Sequence, residues 1–464
     1  MQHDLYRTAA EMIALFRRGE LSPVDAVRRS LARIEETADT INAFVLVDAE
    51  GALDAARATE RRWREGSPLG PLDGIPFALK DSNWARGWPT RIGSRTTSSA
   101  PEATDAPYVR SLRDAGAVFV GKTATPEFCW TGSTFSPLGG ITRNPWDTTR
   151  GVGGSSGGAA AAIAGDMVPL ALGTDAGGSI RTPAGLCGTV GFKPSFGRVT
   201  LDPRDGYSTF NSVGPLAHTV DDALLVFRIL LGETPPLAPS PPPRLSGLRV
   251  AISPTMGYAR FVAGGISAAV SRAADVLSDL GAAVTLADPP LDWPVDVYNT
   301  MGWAEQAHAL GPVVDAHAGE MEPGLVEIVG VGRRIGLAAY LDAVKQRASI
   351  CSTMADFHRS YDVLVTPTLP TTAFAAGSLT PDGNEVTTMN DWLPFSSVFN
   401  LTGQPALSVP CGFDEGGLPF GIQFVGAPGR DFDILEAGRA YEHATGSSAA
   451  FRAAYAERRI GPSS

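Results

Sequence analysis

Histidine and cysteine are scarce in this chain, at six and four of 464 residues. Cys129, Cys187, Cys351 and Cys411 lie far apart with no CxxC pair, which excludes zinc-ribbon and thioredoxin spacings and predicts free thiols in a reducing compartment. No metal and no cofactor are expected. Long apolar runs are missing too: none approaches the ~18–20 residues that span a bilayer, so no membrane partner is expected. The N-terminal segment MQHDLYRTAAEMIALFRRGE mixes charge into every turn and lacks a signal-peptide core, which makes the cytoplasm the expected compartment. Positive charge is short as well, with 38 Lys+Arg against 49 Asp+Glu, a net charge of −11, and no basic stripe. Phosphate binding needs clustered Lys and Arg, so no nucleic acid is expected as a partner.

Glycine and proline are plentiful, at 52 and 36 residues beside 44% hydrophobic content, the composition of a loop-rich globular protein. Ser22, Pro23 and Asp25 supply an N-cap, a first-turn proline and a first-turn acid, predicting a helix to about Glu36. A second helix is expected from about Asp48 to Arg64, ending near Gly66. Residues 1–66 therefore read as a helical layer packed on a core formed by 67–464. From Pro71 onward the short apolar runs IPFALK, AVFV, VPLAL, LRVAIS and DVLVTP alternate with helical stretches, the pattern of an α/β protein. A proline-rich break begins at Thr234 and opens a variable, helical region at about 234–345.

Residues 151–194, GVGGSSGGAAAAIAGDMVPLALGTDAGGSIRTPAGLCGTVGFKP, frame two serines, Ser155 and Ser179, with glycine. Glycine inside an element costs about 0.5–1 kcal/mol relative to alanine, so glycines at this density imply tight turns or close approach to a ligand. Ser179 follows an apolar strand and the small residues Ala176, Gly177 and Gly178. Consecutive small residues let the N–H groups of Ala176, Gly177, Gly178 and Ser179 converge on a developing oxyanion, which makes Ser179 the expected nucleophile. Lys80 ends the strand IPFALK and faces away from Asp81. A lysine buried without a carboxylate is driven toward its neutral, basic form.

These segments closely resemble the amidase signature family: GGSSGG at 153–158, GTDAGGSIR at 173–181 and GFKP at 191–194. The resemblance extends to GIPFALKD at 74–81, NPWD at 144–147, YDVLVTP at 361–367 and NLTGQPA at 400–406. It implies an amidase-signature α/β fold, a central mixed sheet flanked by helices on both faces. It also implies Ser179 as nucleophile, Ser155 as a bridging serine in a cis peptide, Lys80 as the base, and no metal. Cleavage of a C–N acyl bond in a small amide, anilide or carbamate, amidase or urethanase chemistry through an acyl-enzyme, is the expected activity. By the same resemblance, Cys129, Trp130 and Thr131 border the substrate and suggest an apolar or aromatic acyl group. Ser156 and Asp175 are expected to orient the site and Arg181 to anchor its loop. Where the family often has Thr-Pro-Gly-Gly, this chain has Thr149, Arg150, Gly151 and Val152 before the first serine's glycines. A homodimer stays open.

Two other motifs compete. Residues 116–123 fit the phosphate-loop pattern GxxxxGK[ST], yet the central AVFV reads as a buried strand. GGSSG at 153–157 also fits the α/β-hydrolase elbow, which would make Ser155 an esterase nucleophile served by His218, His308, His317, His358 or His443. The amidase subunit of a tRNA-dependent glutamine amidotransferase is the remaining alternative.

Overall fold

The computed structural model describes residues 7–205, 208–235, 241, 244–382 and 392–460. Part of the proline-rich break, 236–240 and 242–243, lies outside the described residues. The centre is one sheet of eleven strands. In chain order these are β1 (Phe44–Val47), β2 (Pro76–Lys80), β3 (Val118–Thr123), β4 (Leu170–Asp175), β5 (Val190–Lys193), β6 (Ser212–Ala217), β7 (Arg249–Ile252), β8 (Ala283–Leu286), β9 (Val363–Pro367), β10 (Ala406–Phe413) and β11 (Pro419–Gly426). Their spatial order is β1-β3-β2-β4-β6-β5-β10-β11-β9-β7-β8. The sheet is mixed: β2 runs parallel to β3 and β4, β9 parallel to β7, and β7 parallel to β8, while the central pairs are antiparallel.

Strand alternation divides the side chains between two cores. Phe77 and Leu79 of β2 pack with Leu170, Leu172 and Phe192 under the helices Val220–Leu230 and Asp431–Thr445. Ala78, Ala171 and Leu216 face the opposite core, which is covered by Pro23–Glu36 and Gly157–Ala164. Helices thus cover both faces. Lys80 shares the face of Ala78, so the pleat delivers it toward the helix that Ser155 precedes. That helix is Gly- and Ala-rich because it lies against main chain: a Cβ on Gly158 would run into the Ala124 amide and the Ala43 carbonyl.

The N-terminal cap forms as its residues dictate, with Ser22 Oγ accepting from the amides of Val24 at 3.0 Å and Asp25 at 3.4 Å. The second helix, Ala49–Glu65, closes on Gly66 at φ 70°. Residues 1–66 are not helical throughout, however, because β1 lies between those helices and adds an antiparallel edge strand to β3. Likewise, the region expected to be helical at 234–345 contributes β7 and β8 beside its helices. No helix among the described residues is long and apolar enough to cross a membrane.

Residues 118–123 of the phosphate-loop look-alike are β3, buried along its length. Lys122 Nζ donates to Pro89 O and Thr90 Oγ1, each at 2.8 Å, and lies 3.7 Å from Asp81. The lysine is tied inside the protein.

Candidate active site

Three wholly buried lysines occur among the described residues: Lys80, Lys122 and Lys193. Lys122 and Lys193 donate to backbone carbonyl oxygens, which fix a cation in place. Lys80 differs. Its Nζ donates to two hydroxyls, Ser155 Oγ at 2.6 Å and Thr174 Oγ1 at 2.8 Å, has the Cys129 thiol as a further neighbour, and makes no ion pair within 4.0 Å among the described residues. Burial lowers its pKa from the ordinary lysine value, with Cys129 and Asp175 opposing that shift only in part. A hydroxyl can pass a proton to such an amine; a carbonyl cannot.

Ser155 is buried, and the Gly154–Ser155 peptide bond is cis. Ser156 staples the two serine loops together: its N–H donates to the Ser179 carbonyl at 3.0 Å, and its Oγ donates to Thr174 O at 3.1 Å. Ser179 stands in the turn between β4 and the helix Arg181–Cys187 and opens on a pocket that Ser155 also lines. The two hydroxyls make no hydrogen bond to each other, a contact that in unliganded enzymes often tightens only when substrate arrives.

Asp175 organises the turn. Its carboxylate accepts from the amides of Gly178 at 2.8 Å and Ile180 at 3.1 Å and from Arg181 Nε and Nη2, both at 3.0 Å. This corrects the expected set of oxyanion donors: the Gly178 amide is committed to Asp175, whereas those of Ala176, Gly177 and Ser179 have no partner among the described residues. Tyr298 packs on the same turn, its OH 3.3 Å from Ala176 O, and a Cβ on Gly177 would strike it.

Arg181 is fully buried and also donates to Gln423 Oε1 and Asn400 Oδ1, both at 2.7 Å, so it anchors the loop and does not face the pocket. Burial alone would raise the Asp175 pKa, but the Arg181 guanidinium, helped by Lys193 and the Asn400 amide, outweighs it and holds this carboxyl well below the usual range. A carboxylate depressed in the folded state contributes stability above its unfolded pKa, and that contribution fades as pH falls toward the folded value. Arg181→Met leaves a buried carboxylate uncompensated, at a cost of about 3–5 kcal/mol. The expected result is a clear drop in Tm at pH 7; an unchanged Tm in thermal melts would contradict the anchoring role.

The pocket is walled by Cys129, Trp130 and Thr131 on one side and by Trp84, Phe210, Tyr298 and Trp303 on others. Trp130 also lies over Gly324 and packs with Leu310, Leu325 and Val329, so it is core as much as pocket wall. The charged groups on the wall are already hydrogen-bonded. Arg204 bonds Asp202 at 2.7 Å and Glu102 at 3.0 Å and lies 4.7 Å over the Trp84 ring. Asp205 accepts from Trp84 and Tyr108, and Glu305 from Thr209. No histidine among the described residues lines the pocket; His218 sits elsewhere, 3.8 Å from Asp166, and His358 bonds Gln404. No group of three metal-ligating side chains occurs among the described residues.

Several of these residues escape the sequence reading. Thr174 is indistinguishable from an ordinary strand residue. Asn400, a buried polar residue within NLTGQPA, carried the better signal. Tyr298, Trp303 and Glu305 lie on the helix Val295–His317, which uses one face for the pocket and another for its neighbour Pro323–Gly332 and so shows no clean apolar stripe.

The Amidase family model matches residues 25–435. A glutamyl-tRNA(Gln) amidotransferase subunit from Chloroflexus aurantiacus is 38% identical over 484 residues, spanning 96% of this chain and 97% of that one. Among solved structures, a bacterial aryl acylamidase belonging to the amidase signature enzymes superposes with a TM-score of 0.88 at 27% identity, covering 97% of this chain and 99% of that one. A further structure named as an amidase gives 0.85 at 31% identity, covering 94% and 99%. The first of these relatives overturns the exclusion of nucleic acid as a partner, because its enzyme is named for a tRNA. The charge balance of one chain speaks only to phosphates that this chain would itself touch, not to a nucleic acid handled by an assembly of several subunits.

Proposed function

The chain belongs to the amidase signature family, and from that premise we propose that it hydrolyses the C–N acyl bond of a small neutral amide, anilide or carbamate through an acyl–Ser179 intermediate. The observation that carries this reading is the buried Lys80 amine bonded to hydroxyls rather than to carbonyls or carboxylates, 2.6 Å from Ser155, which lines the same pocket as Ser179. Neutral Lys80 takes the Ser155 proton, Ser155 takes that of Ser179, and Ser179 Oγ attacks the carbonyl carbon. The free amides of Ala176, Gly177 and Ser179 receive the oxyanion. Collapse breaks the C–N bond, and the proton held on Lys80 returns through Ser155 to the departing nitrogen. Water then enters, gives its proton to the same relay and releases the acid. The compartment in this reading is the cytoplasm.

A neutral substrate is supported by the pocket wall, where the one cationic side chain among the described residues, Arg204, is already held by Asp202 and Glu102. A second reading, glutamine as the amide with its ammonia passed to a partner protein, is favoured by the 38% identical relative. A panel of acetanilides, benzamides, aryl carbamates and glutamine, followed by amine or ammonia release, separates the two. The expected result is that an anilide or carbamate turns over at least ~10-fold faster than glutamine, since Arg204, already held by two carboxylates, has no charge to spare for the α-carboxylate of glutamine. Glutamine as the best substrate would select the second reading. Activity is also expected to survive prolonged chelation, because no step of the relay uses a metal; loss restored by a divalent ion would contradict it.

A further inference from the structure

Cys129 places a thiol in the catalytic pocket that the hydrolytic relay does not use. Phe128 and Cys129 both take left-handed backbone, φ 49° and 59°, a region that non-glycine residues rarely occupy. This turn sets Cys129 on the wall shared with Ser155 and Ser179, with Sγ 3.3 Å from Thr125 Oγ1. The same sulfur acts electrostatically on the Lys80 amine, so a proton acceptor stands beside it. The other three thiols are placed differently. Cys187 is fully buried, Cys351 lies 3.8 Å from Leu401 O, and burial pushes the thiols of Cys187, Cys351 and Cys411 up. A second, independent feature marks the same pocket: Thr131 Oγ1 and Ser82 Oγ, in residues only 3% and 9% exposed, have no hydrogen-bond partner among the described residues. They are free to hold the polar end of a group attached there.

We propose that Cys129 is a site of reversible S-thiolation by small disulfides, which closes the acyl pocket. The step balances. The Cys129 S–H proton passes to neutral Lys80, the thiolate attacks one sulfur of the disulfide, a Cys129 S–S bond forms, and the other sulfur leaves as a thiolate. Cys129 is oxidised and the added disulfide reduced. The proton then passes from Lys80 to the departing thiolate, which leaves as a neutral thiol, and the adduct fills the space beside Ser179 that the substrate carbonyl must enter. The loss of activity rests on the amidase reading above; the thiol chemistry does not.

The test uses the full chain, reduced, desalted and exposed to 2-hydroxyethyl disulfide, with peptide mapping by mass spectrometry and anilide hydrolysis followed in parallel. Cys129 is expected to carry the adduct before Cys351 and Cys411. Turnover should fall at least ~10-fold in step with it and return on adding dithiothreitol. In Lys80→Met, checked for folding by circular dichroism, adduct formation at Cys129 should slow by about tenfold, since its proton acceptor is gone. Turnover of Cys129→Ala, read against its own untreated rate, should resist the disulfide. Modification of Cys351 or Cys411 with Cys129 untouched overturns the proposal, as does unchanged turnover with Cys129 fully modified, or an equal adduct rate in Lys80→Met. If the protein hydrolyses no amide at all, the mapping arms still decide, so failure of the functional reading is distinguishable from failure of this one.

Discussion

Ser179→Ala is expected to abolish hydrolysis, with a fall in kcat of about 10⁴-fold or more, while the protein melts within about 2 °C of the parent. The size follows from the role: without the nucleophile no acyl-enzyme forms, and the remaining donors and the pocket bind substrate without cleaving it. The unchanged stability follows from the site. Ser179 is partly exposed, its hydroxyl has no hydrogen-bond partner among the described residues, and alanine tolerates its backbone, so the substitution orphans nothing. Ser155→Ala is expected to be as inactive but less innocent structurally, because it removes a buried partner of Lys80 at 2.6 Å. Kinetics and thermal melts of both variants check this. A folded Ser179→Ala protein retaining activity near the parental rate would remove Ser179 from the chemistry.

Lys80→Arg is expected to be nearly as damaging as Lys80→Ala, with a loss of about 10³-fold or more in kcat/KM. Guanidinium stays protonated at any pH the protein survives, so it cannot accept the Ser155 proton, whereas a merely electrostatic cation would be replaced well. The pH profile carries the same information. Burial lowers the Lys80 pKa, so the neutral fraction rises as pH climbs through the folded-state value and is lost below it. Activity should therefore fall on the acid side along a single-proton limb that disappears in Lys80→Arg and Lys80→Ala. An Arg variant that is folded and mostly active, with the parental acid limb intact, would return Lys80 to a structural role.

How much of this was legible in the sequence varies with the physics behind each feature. The pairing of Lys80 with Ser155 follows from simple rules: alternation along β2 sends Lys80 to the face of Ala78, and the helix Gly157–Ala164 that covers this face is small enough to bring the preceding serine against it. The strand hidden in the phosphate-loop motif was legible for a similar reason, since four consecutive apolar residues cannot form a solvated cradle. The direction of a main-chain N–H was not legible. Composition counted Gly178 among the oxyanion donors, while the folded turn gives that amide to Asp175. The β1 strand was missed because four residues between two helices, paired on one side only, leave almost no periodic signal. Pocket residues on Val295–His317 were missed because that helix buries different faces against different neighbours. Net charge misled about nucleic acid because it is a property of the whole chain, not of an assembly.

The proposed mechanism makes Ser179 rather than Ser155 the nucleophile, and trapping the acyl-enzyme tests that most directly. Rapid acid quench of the protein with a turned-over anilide, followed by proteolysis and peptide mass spectrometry, should find one acyl group, on the peptide containing Ser179. It should be absent from Ser179→Ala and should disappear as substrate is exhausted. An acyl group on Ser155, or steady turnover with no acylated serine under conditions where deacylation is slowed, would contradict the mechanism.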